Sequence, residues 1–304
     1  MTETETFESL RPLLFSIAYR MLASVSDAED IVQDAFLRYQ KALAEKVSIE
    51  SLKSFLSATV TRLAIDQMRS ARARRETYVG QWLPEPIVTD GGDPSSDSER
   101  AESVSMAFLL VLQRLRPVER AVFLLHDVFG YGFGEIAAIV GKAEDNCRQL
   151  ATRARKRVEA ERPRFEPDIA RRDDLARRFF AAVSEGNVGA LVQMVSEDAV
   201  VYGDGGGKAP QWSKPIVGRD RVAQLLAGVG TRVREAGGQL VFHQINGQPG
   251  VLLLDADQRI ISVFSVDIAG GVVRALRSVI NPDKLRHLGP VADVRALLRP
   301  QGLK

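Results

Sequence analysis

Residues 134–158 read GEIAAIVGKAEDNCRQLATRARKRV, and from Arg148 to Arg157 they hold five basic residues and no acidic one. The whole chain carries a formal net charge of only +2, so this concentration is local. Two short helices meeting at a tight corner need a small residue at the crossing and a glycine at the turn, and Ala137 and Gly141 stand four apart in those places. Ile136, Val140, Cys147 and Leu150 are spaced to pack between the two helices, which makes Cys147 a small core residue rather than a redox group. This is helix-turn-helix spacing, with the second helix starting near Glu144. Its first half turns Asn146, Arg148, Gln149, Thr152 and Arg153 outward, where Arg can read guanine and Asn or Gln adenine in a major groove. Arg155, Lys156 and Arg157 lie further along and suit phosphates. A lone basic face is ordinarily a solvated surface. Here the crossing residues, the apolar spacing and the charge agree, which points to DNA. Lys142 departs from the pattern, because an apolar residue is commoner after the turn glycine.

A second basic block covers 62–75, with Arg62, Arg69, Arg72, Arg74 and Arg75 against one acid, Asp66. Five arginines exceed what a helix end needs to complement its own dipole. The 90–102 stretch is the reverse: Asp90, Asp93, Asp97, Glu99 and Glu102 against Arg100. Two basic blocks with an acidic spacer suggest two polyanion contacts joined by a linker. Later in the chain Tyr202, Asp204, His243 and Asp267 could serve as general acids or bases in a cavity, but no spacing ties any two of them together. His126 sits in the apolar run FLLHDVFG and reads as structural, and Trp212 in APQWSKP as a cover for the mouth of a cavity.

The elements that must position these residues are visible in the hydrophobic period. Residues 7–75 read as three helices. The first places Leu10, Leu13, Leu14, Ile17, Ala18 and Met21 on one face. Ser26, with Glu29 three residues on, reads as the capping box of the second. That helix buries Ile31, Val32, Ala35, Phe36, Tyr39 and Leu43 and leaves Asp27, Glu29, Asp30, Gln33 and Asp34 outside. The third runs from about Ser51 to Arg75. Residues 80–104 contain three prolines and three glycines and read as a linker, in which the tryptophan of WLPEP is expected to dock on something. Helical patterning returns from Ser105 to Arg162. After Pro163 and Pro167 the period changes: DDLARRFFAAVSEG is a helix stopped at Gly186, and AVVYGD, QLVFHQIN, GVLLLDA, RIISVFSVDIA and GGVVRALRSVI are strands interrupted by a helix at RDRVAQLLAGV. The last third is therefore α+β and the first half all-helical.

At 304 residues the chain has room for two or three domains. No apolar run approaches the roughly 18 residues of a spanning helix, and the acidic start MTETETFESL is unlike a secretory signal. A single cysteine excludes an intramolecular disulfide and a cysteine-based metal cluster. These bounds predict a cytoplasmic protein without metal or cofactor.

With both basic blocks located, the first 160 or so residues resemble a bacterial extracytoplasmic-function RNA polymerase sigma factor. DAEDIVQDAFLRYQ resembles the region 2.2 helix that grips the polymerase clamp, FLSATVTRLAIDQMRSARARR resembles regions 2.3 and 2.4, and the segment from Leu115 to Val158 resembles region 4. WLPEP (82–86), DGGGK (204–208) and NPDKL (281–285) resemble signatures of the branch with a fused C-terminal SnoaL-like domain, and NCRQL (146–150) fits it too. The resemblance implies two all-α domains, a region 2 helical bundle and a region 4 helix-turn-helix, followed by an α+β SnoaL-like (cystatin/NTF2-like) cone. The boundaries would be region 2 at 1–79, a flexible acidic linker at 80–104, region 4 at 105–165, the SnoaL-like domain at 166–288 and a tail at 289–304. Core polymerase would bind Asp27, Glu29, Asp30, Gln33 and Asp34. The −10 element would meet Asp66 and Arg69 near its bases and Arg62, Arg72, Arg74 and Arg75 along the same helix, and the −35 element would meet Asn146, Arg148, Gln149, Thr152, Arg153, Arg155 and Lys156. The acidic linker would pass through the polymerase's nucleic-acid channel.

The third domain would regulate in cis through Trp82, Leu83, Pro84, Glu85 and Pro86, through Asp204, Gly205, Gly206, Gly207 and Lys208, and through Asn281, Pro282, Asp283, Lys284 and Leu285. Its alternatives are a cavity that senses a small molecule, or one that catalyses with the acid–base candidates above. For the whole chain the alternative is a non-sigma regulator with a ligand-binding domain. A one-to-one complex with polymerase makes a monomer the expected free state.

Overall fold

A computed structural model describes residues 3–76, 78–90, 103–161, 165–166 and 168–297. The chain forms two compact units: Met1–Thr77 with Phe108–Arg162, and Tyr78–Ala107 with Pro163–Lys304.

The first unit is helical. Helices α1 (Glu3–Leu22), α2 (Val25–Ala44) and α3 (Leu52–Glu76) pack through the faces their periodicity predicts, burying Leu14, Ile17 and Met21 from α1, Ile31, Val32, Ala35 and Tyr39 from α2, and Leu56, Val60 and Ala64 from α3. The cap of α2 is Ser24, whose hydroxyl accepts from Asp27 N at 3.2 Å, and not Ser26. Ala23 takes a left-handed φ of 57°, which turns the chain one residue before Ser24 and places that hydroxyl over the helix start. Then come α4 (Met106–Leu112), which belongs to this unit from Phe108 on, and, wholly within it, α5 (Pro117–Phe123), α6 (Phe133–Val140) and α7 (Glu144–Glu161), with a π-helical turn at Leu124–Val128.

The second unit is α+β. Three helices, α8 (Ile169–Glu185), α9 (Val188–Met194) and α10 (Arg219–Glu235), accompany a six-stranded sheet of β1 (Val195–Asp204), β2 (Ile216–Val217), β3 (Gln239–Ile245), β4 (Gln248–Leu254), β5 (Ile260–Ala269) and β6 (Val272–Val279). The strand order is β2-β1-β6-β5-β4-β3, with β1 and β6 parallel and the other neighbours antiparallel. A short helix, α11 (Val294–Leu297), follows. The five longer strands are those the alternation predicts; β2 has two residues, too few for a period to show. Gly186 ends α8 in the left-handed conformation, φ 71°.

One face of the sheet meets the helices. Val201, Leu276, Val266, Phe264 and Val251 on the strands, Phe179 and Phe180 on α8, and Val222 and Leu226 on α10 form its apolar core. At the crossing of α8 and α10 there is no room for a side chain: a Cβ on Gly230 would fall on the Val183 carbonyl, whereas one on Gly228 would meet nothing within 4 Å. Gly230→Ala is therefore expected to destabilise this unit by about 1–3 kcal/mol through forced separation of the helices. Gly228→Ala should leave it unchanged or up to about 1 kcal/mol more stable. Urea denaturation of the two variants measures both.

Candidate functional site

In the helical unit Gly141 closes α6 in the left-handed conformation, φ 67°, and donates to Ala137 O at 2.9 Å, so the corner is built by the two residues whose spacing suggested it. Ile136, Cys147 and Leu150 are buried between the helices. Ile139 takes the buried place expected of Val140, which is only half-buried. Burial pushes the Cys147 thiol pKa up, which suits a packed, inert side chain. On α7, Asn146, Arg148, Gln149, Thr152, Arg153 and Lys156 are exposed. Arg148 pairs with Glu144 and lies over the Phe133 ring, 4.7 Å from its centroid. Arg155 is drawn back to Asp127 at 2.6 Å and Arg157 to Glu119 at 3.0 Å, so these two are held by neighbouring elements.

On α2, Glu29, Asp30, Gln33 and Asp34 are exposed, while Asp27 is half-buried and accepts from Gln67 Nε2 at 3.2 Å. Leu37, 54% exposed, continues this acidic face as an apolar patch. On α3, Asp66 and Arg69 pair with each other at 3.1 Å. Arg62 donates instead to the carbonyls of Ile139 and Ala138, both at 2.8 Å, at the C-terminal end of α6. The side chains of Arg72, Arg74 and Arg75 lie outside the described residues, as do Asp93, Asp97, Glu99 and Glu102 of the acidic spacer.

In the second unit, the three stretches 82–86, 204–208 and 281–285 meet at one carboxylate. Asp204, at the end of β1, is fully buried. Its Oδ1 accepts from Tyr78 OH at 2.5 Å, and its Oδ2 from Leu83 N at 2.8 Å and from Lys284 Nζ at 2.7 Å. Lys284 also donates to Leu83 O at 2.5 Å. The rings of Trp82 and Tyr78 flank its ammonium, with centroids 4.4 and 4.9 Å away. Asn281 caps the 3-10 turn Pro282–Lys284 and donates to Tyr78 OH at 2.9 Å. Burial, then the hydrogen bond to Asp204, raise the Tyr78 phenol pKa far above its ordinary value, so it stays a donor. Gly206 and Gly207 have φ of 57° and 70°, and a Cβ on Gly206 would strike Asn281 and Tyr78. Lys208 reaches Asp283.

From this clasp the segment runs on in extended form. Leu83, Pro84, Glu85 and Pro86 are buried, and His287 bonds the Pro86 carbonyl at 2.7 Å. Residues 87–89 add to the free edge of β3: Asn246 N donates to Ile87 O at 2.9 Å and Thr89 N to Gln244 O at 2.8 Å. Asp90 closes the run, accepting from Gln244 N at 2.6 Å and pairing with His243. Composition alone reads this stretch as a linker; the docking expected of Trp82 is met against Lys284, but the pattern does not foretell that the whole of 78–90 packs as an extended strap.

The acid–base candidates do not converge. Tyr202, Arg277, Ser265, Gly250 and His243 are register partners in one row across the sheet, and Asp204 and Asp267 lie on the same face two residues to opposite sides of that row. That face is the one opposite the apolar core. Asp267 pairs with Arg277 at 2.5 Å, Asp204 belongs to the clasp, and His243 holds Asp90. Trp212, by contrast, packs partly against the core. Among the described residues no helix is long and apolar enough to cross a membrane.

Comparison with known proteins identifies the helical stretches. Sigma-70 region 2 matches residues 6–74 and Sigma-70 region 4 matches residues 105–158. The ECF RNA polymerase sigma factor SigJ of Mycobacterium tuberculosis is 37% identical over 307 residues, covering 97% of this chain and 96% of its own. The probable ECF RNA polymerase sigma factor SigI of the same species is 29% identical over 280 residues, covering 91% and 93%. The crystal structure of M. tuberculosis SigJ superposes with a TM-score of 0.74 at 34% identity, covering 95% of this chain and all of that one. Two helical regions in sigma order, and a relative alike from end to end, place the chain in the extracytoplasmic-function family of RNA polymerase sigma factors.

Proposed function

We propose that this sigma factor takes core polymerase on the α2 face, reads promoters through α3 and α7, and is restrained by its third domain through the strap at 78–90. The observation that carries the restraint is the convergence of 82–86, 204–208 and 281–285 on buried Asp204. The strap is also the start of the only covalent link from α3 to region 4, so whatever holds it limits how far the two promoter-reading helices can separate. Packing inside the helical unit acts in the same sense. Arg62, Ser57 (2.7 Å to Tyr131 OH) and buried Arg120 (2.5 Å to Met21 O) tie region 2 to region 4. Arg62 reaches DNA only after leaving α6. The exposed face of α7 supports −35 recognition, with Asn146, Gln149 and Arg153 for bases and Lys156 for phosphate.

The full chain is expected to start transcription with purified core polymerase and no other sigma factor, which a non-sigma regulator would not do. Lys284→Met leaves Asp204 buried without its cation, a change that costs about 3–5 kcal/mol in comparable buried pairs. Initiation should then rise about fivefold or more as the strap is freed, with Tyr78→Phe giving a smaller rise. A Lys284→Met protein whose strap amides exchange faster while initiation stays constant would overturn the restraint. In the holoenzyme, Lys156→Ala should lower the log–log salt slope of promoter binding by about 0.9 without changing promoter preference. Arg153→Ala should instead relax preference within the −35 element by about 1–3 kcal/mol, read from a base-substitution series.

Burial raises the Asp90 carboxyl, but the Gln244 N–H and then His243 outweigh it, and the net pKa is lowered. A lowered acid contributes docking above its ordinary pKa and loses it as pH falls through the docked value. The outer strap should therefore stay protected from pH 7 to about 5 and loosen below about pH 4. In Asp90→Asn it should be loose already at pH 7, as hydrogen exchange at 87–89 will show.

A further inference from the structure

Beside the 205–209 turn, on the side of the C-terminal stretch 286–295, lies a cavity of about 500 Å³ that borders the clasp through Lys208 and Pro282 but is lined by none of the groups bonded to the Asp204 carboxylate and by neither DNA-reading helix. Its volume is in the range of small-molecule sites. Ile280, Val291 and Val294 supply an aliphatic wall, and no aromatic ring occurs among its described lining residues. That composition suits a flexible alkyl body better than a base or a sterol-like ring system, which would seek a stacking surface.

The polar side of the cavity is cationic. Lys208, Arg286 and Arg295 all line it. Lys208 and Arg286 share a single carboxylate, Asp283, the second at 3.3 Å. Arg295 donates to an uncharged partner, the Gly207 carbonyl, at 3.1 Å. Counting the lining Asp293 and the adjoining Asp283, three cations stand against two carboxylates among the described residues, a surplus of one positive charge there. The Lys208 and Arg286 side chains are 57% and 74% exposed, and a guanidinium bound once to Asp283 still has N–H groups to offer. An aliphatic wall beside a surplus of one cation complements a ligand with an alkyl body and one negative head.

We propose that this cavity binds an aliphatic carboxylate of medium chain length, with the carboxylate between Arg286 and Lys208 and the chain along Ile280, Val291 and Val294. The site lies outside the sheet's apolar core, so it differs from the cavity that sequence reasoning looked to for a ligand. Binding is measured without reference to the strap, and its failure would leave the proposed restraint untouched.

Calorimetric titration of the full-length chain with octanoate, octan-1-ol and acetate tests it. Octanoate should bind saturably at one site per chain, and the alcohol and the short acid each about tenfold more weakly, because each lacks one half of the complement. Arg286→Glu, at an exposed position, should weaken octanoate about tenfold or more, while Arg286→Lys keeps most of the affinity. Absence of saturable octanoate binding, or saturable binding that Arg286→Glu leaves unchanged, would overturn the assignment.

Discussion

A carboxylate with no exposure to water is the constraint on which the second unit depends. An uncompensated charge at the position of Asp204 would cost many kcal/mol, so the fold must bring it partners, and it brings three from elsewhere in the chain. Lys284 supplies the opposite charge, Tyr78 a phenol that burial keeps protonated, and Leu83 a backbone N–H. Two of the three belong to the segment between the sigma regions. Satisfying Asp204 therefore draws that segment onto the sheet, and the backbone conformations of Gly206 and Gly207 make room for it. The cation is shared with the Leu83 carbonyl and flanked by two rings, so no single contact can be removed without stranding another.

The sheet divides labour between its faces. One is committed to the helices and is apolar along its rows, Val201 with Leu276 and Val266, and Phe264 with Val251. The other carries the polar residues that invite a catalytic interpretation. Three of them are matched to a neighbour of opposite charge or in hydrogen bonding, Asp267 with Arg277, His243 with Asp90 and Asp204 with Lys284, and the Tyr202 ring lies under the Arg277 guanidinium. General acid–base chemistry needs a group left able to exchange its proton with a substrate. The ion pairs on this face join neighbouring strands and hold the added segment, and His243 presents a polar partner at the β3 edge where that extended chain adds.

Local periodicity made the helices and long strands legible, because the apolar spacing on α1 to α3 and the alternation on β3 to β6 are set by the faces they bury. Glycines were legible where conformation demanded them, as at Gly141 and Gly186. What escaped was set by distance or by a single backbone angle. The left-handed Ala23 moves the α2 cap to Ser24, and no composition signals it. Prolines at 84 and 86 mark a stretch that cannot form a helix or a sheet ladder, yet an extended chain with buried prolines can still pack on a prepared surface. Lys284 lies 80 residues from Asp204 and Tyr78 126, so their meeting belongs to topology and not to any local pattern. The resemblance to known motifs singled out these stretches; residue chemistry alone would have offered Asp204 as a free acid.

The helical unit shows why exposure has to be weighed residue by residue when DNA contacts are assigned. A basic helix reads as a phosphate-binding surface, but an arginine that has found a protein acceptor must give it up before it can serve. Arg155 and Arg157 are held by Asp127 and Glu119, and Arg62 by two carbonyls that end α6, where the helix dipole adds to the attraction. Asn146, Gln149, Arg153 and Lys156 are exposed along one side of α7. Under the proposed reading, the exposed set could enter a groove without first breaking a bond to Asp127, Glu119 or the α6 carbonyls. The engaged set would couple binding to rearrangement, since each arginine that turned to DNA would release a tie within the protein. Promoter affinity would then depend on the difference between two acceptors for the same guanidinium, and not on the count of arginines.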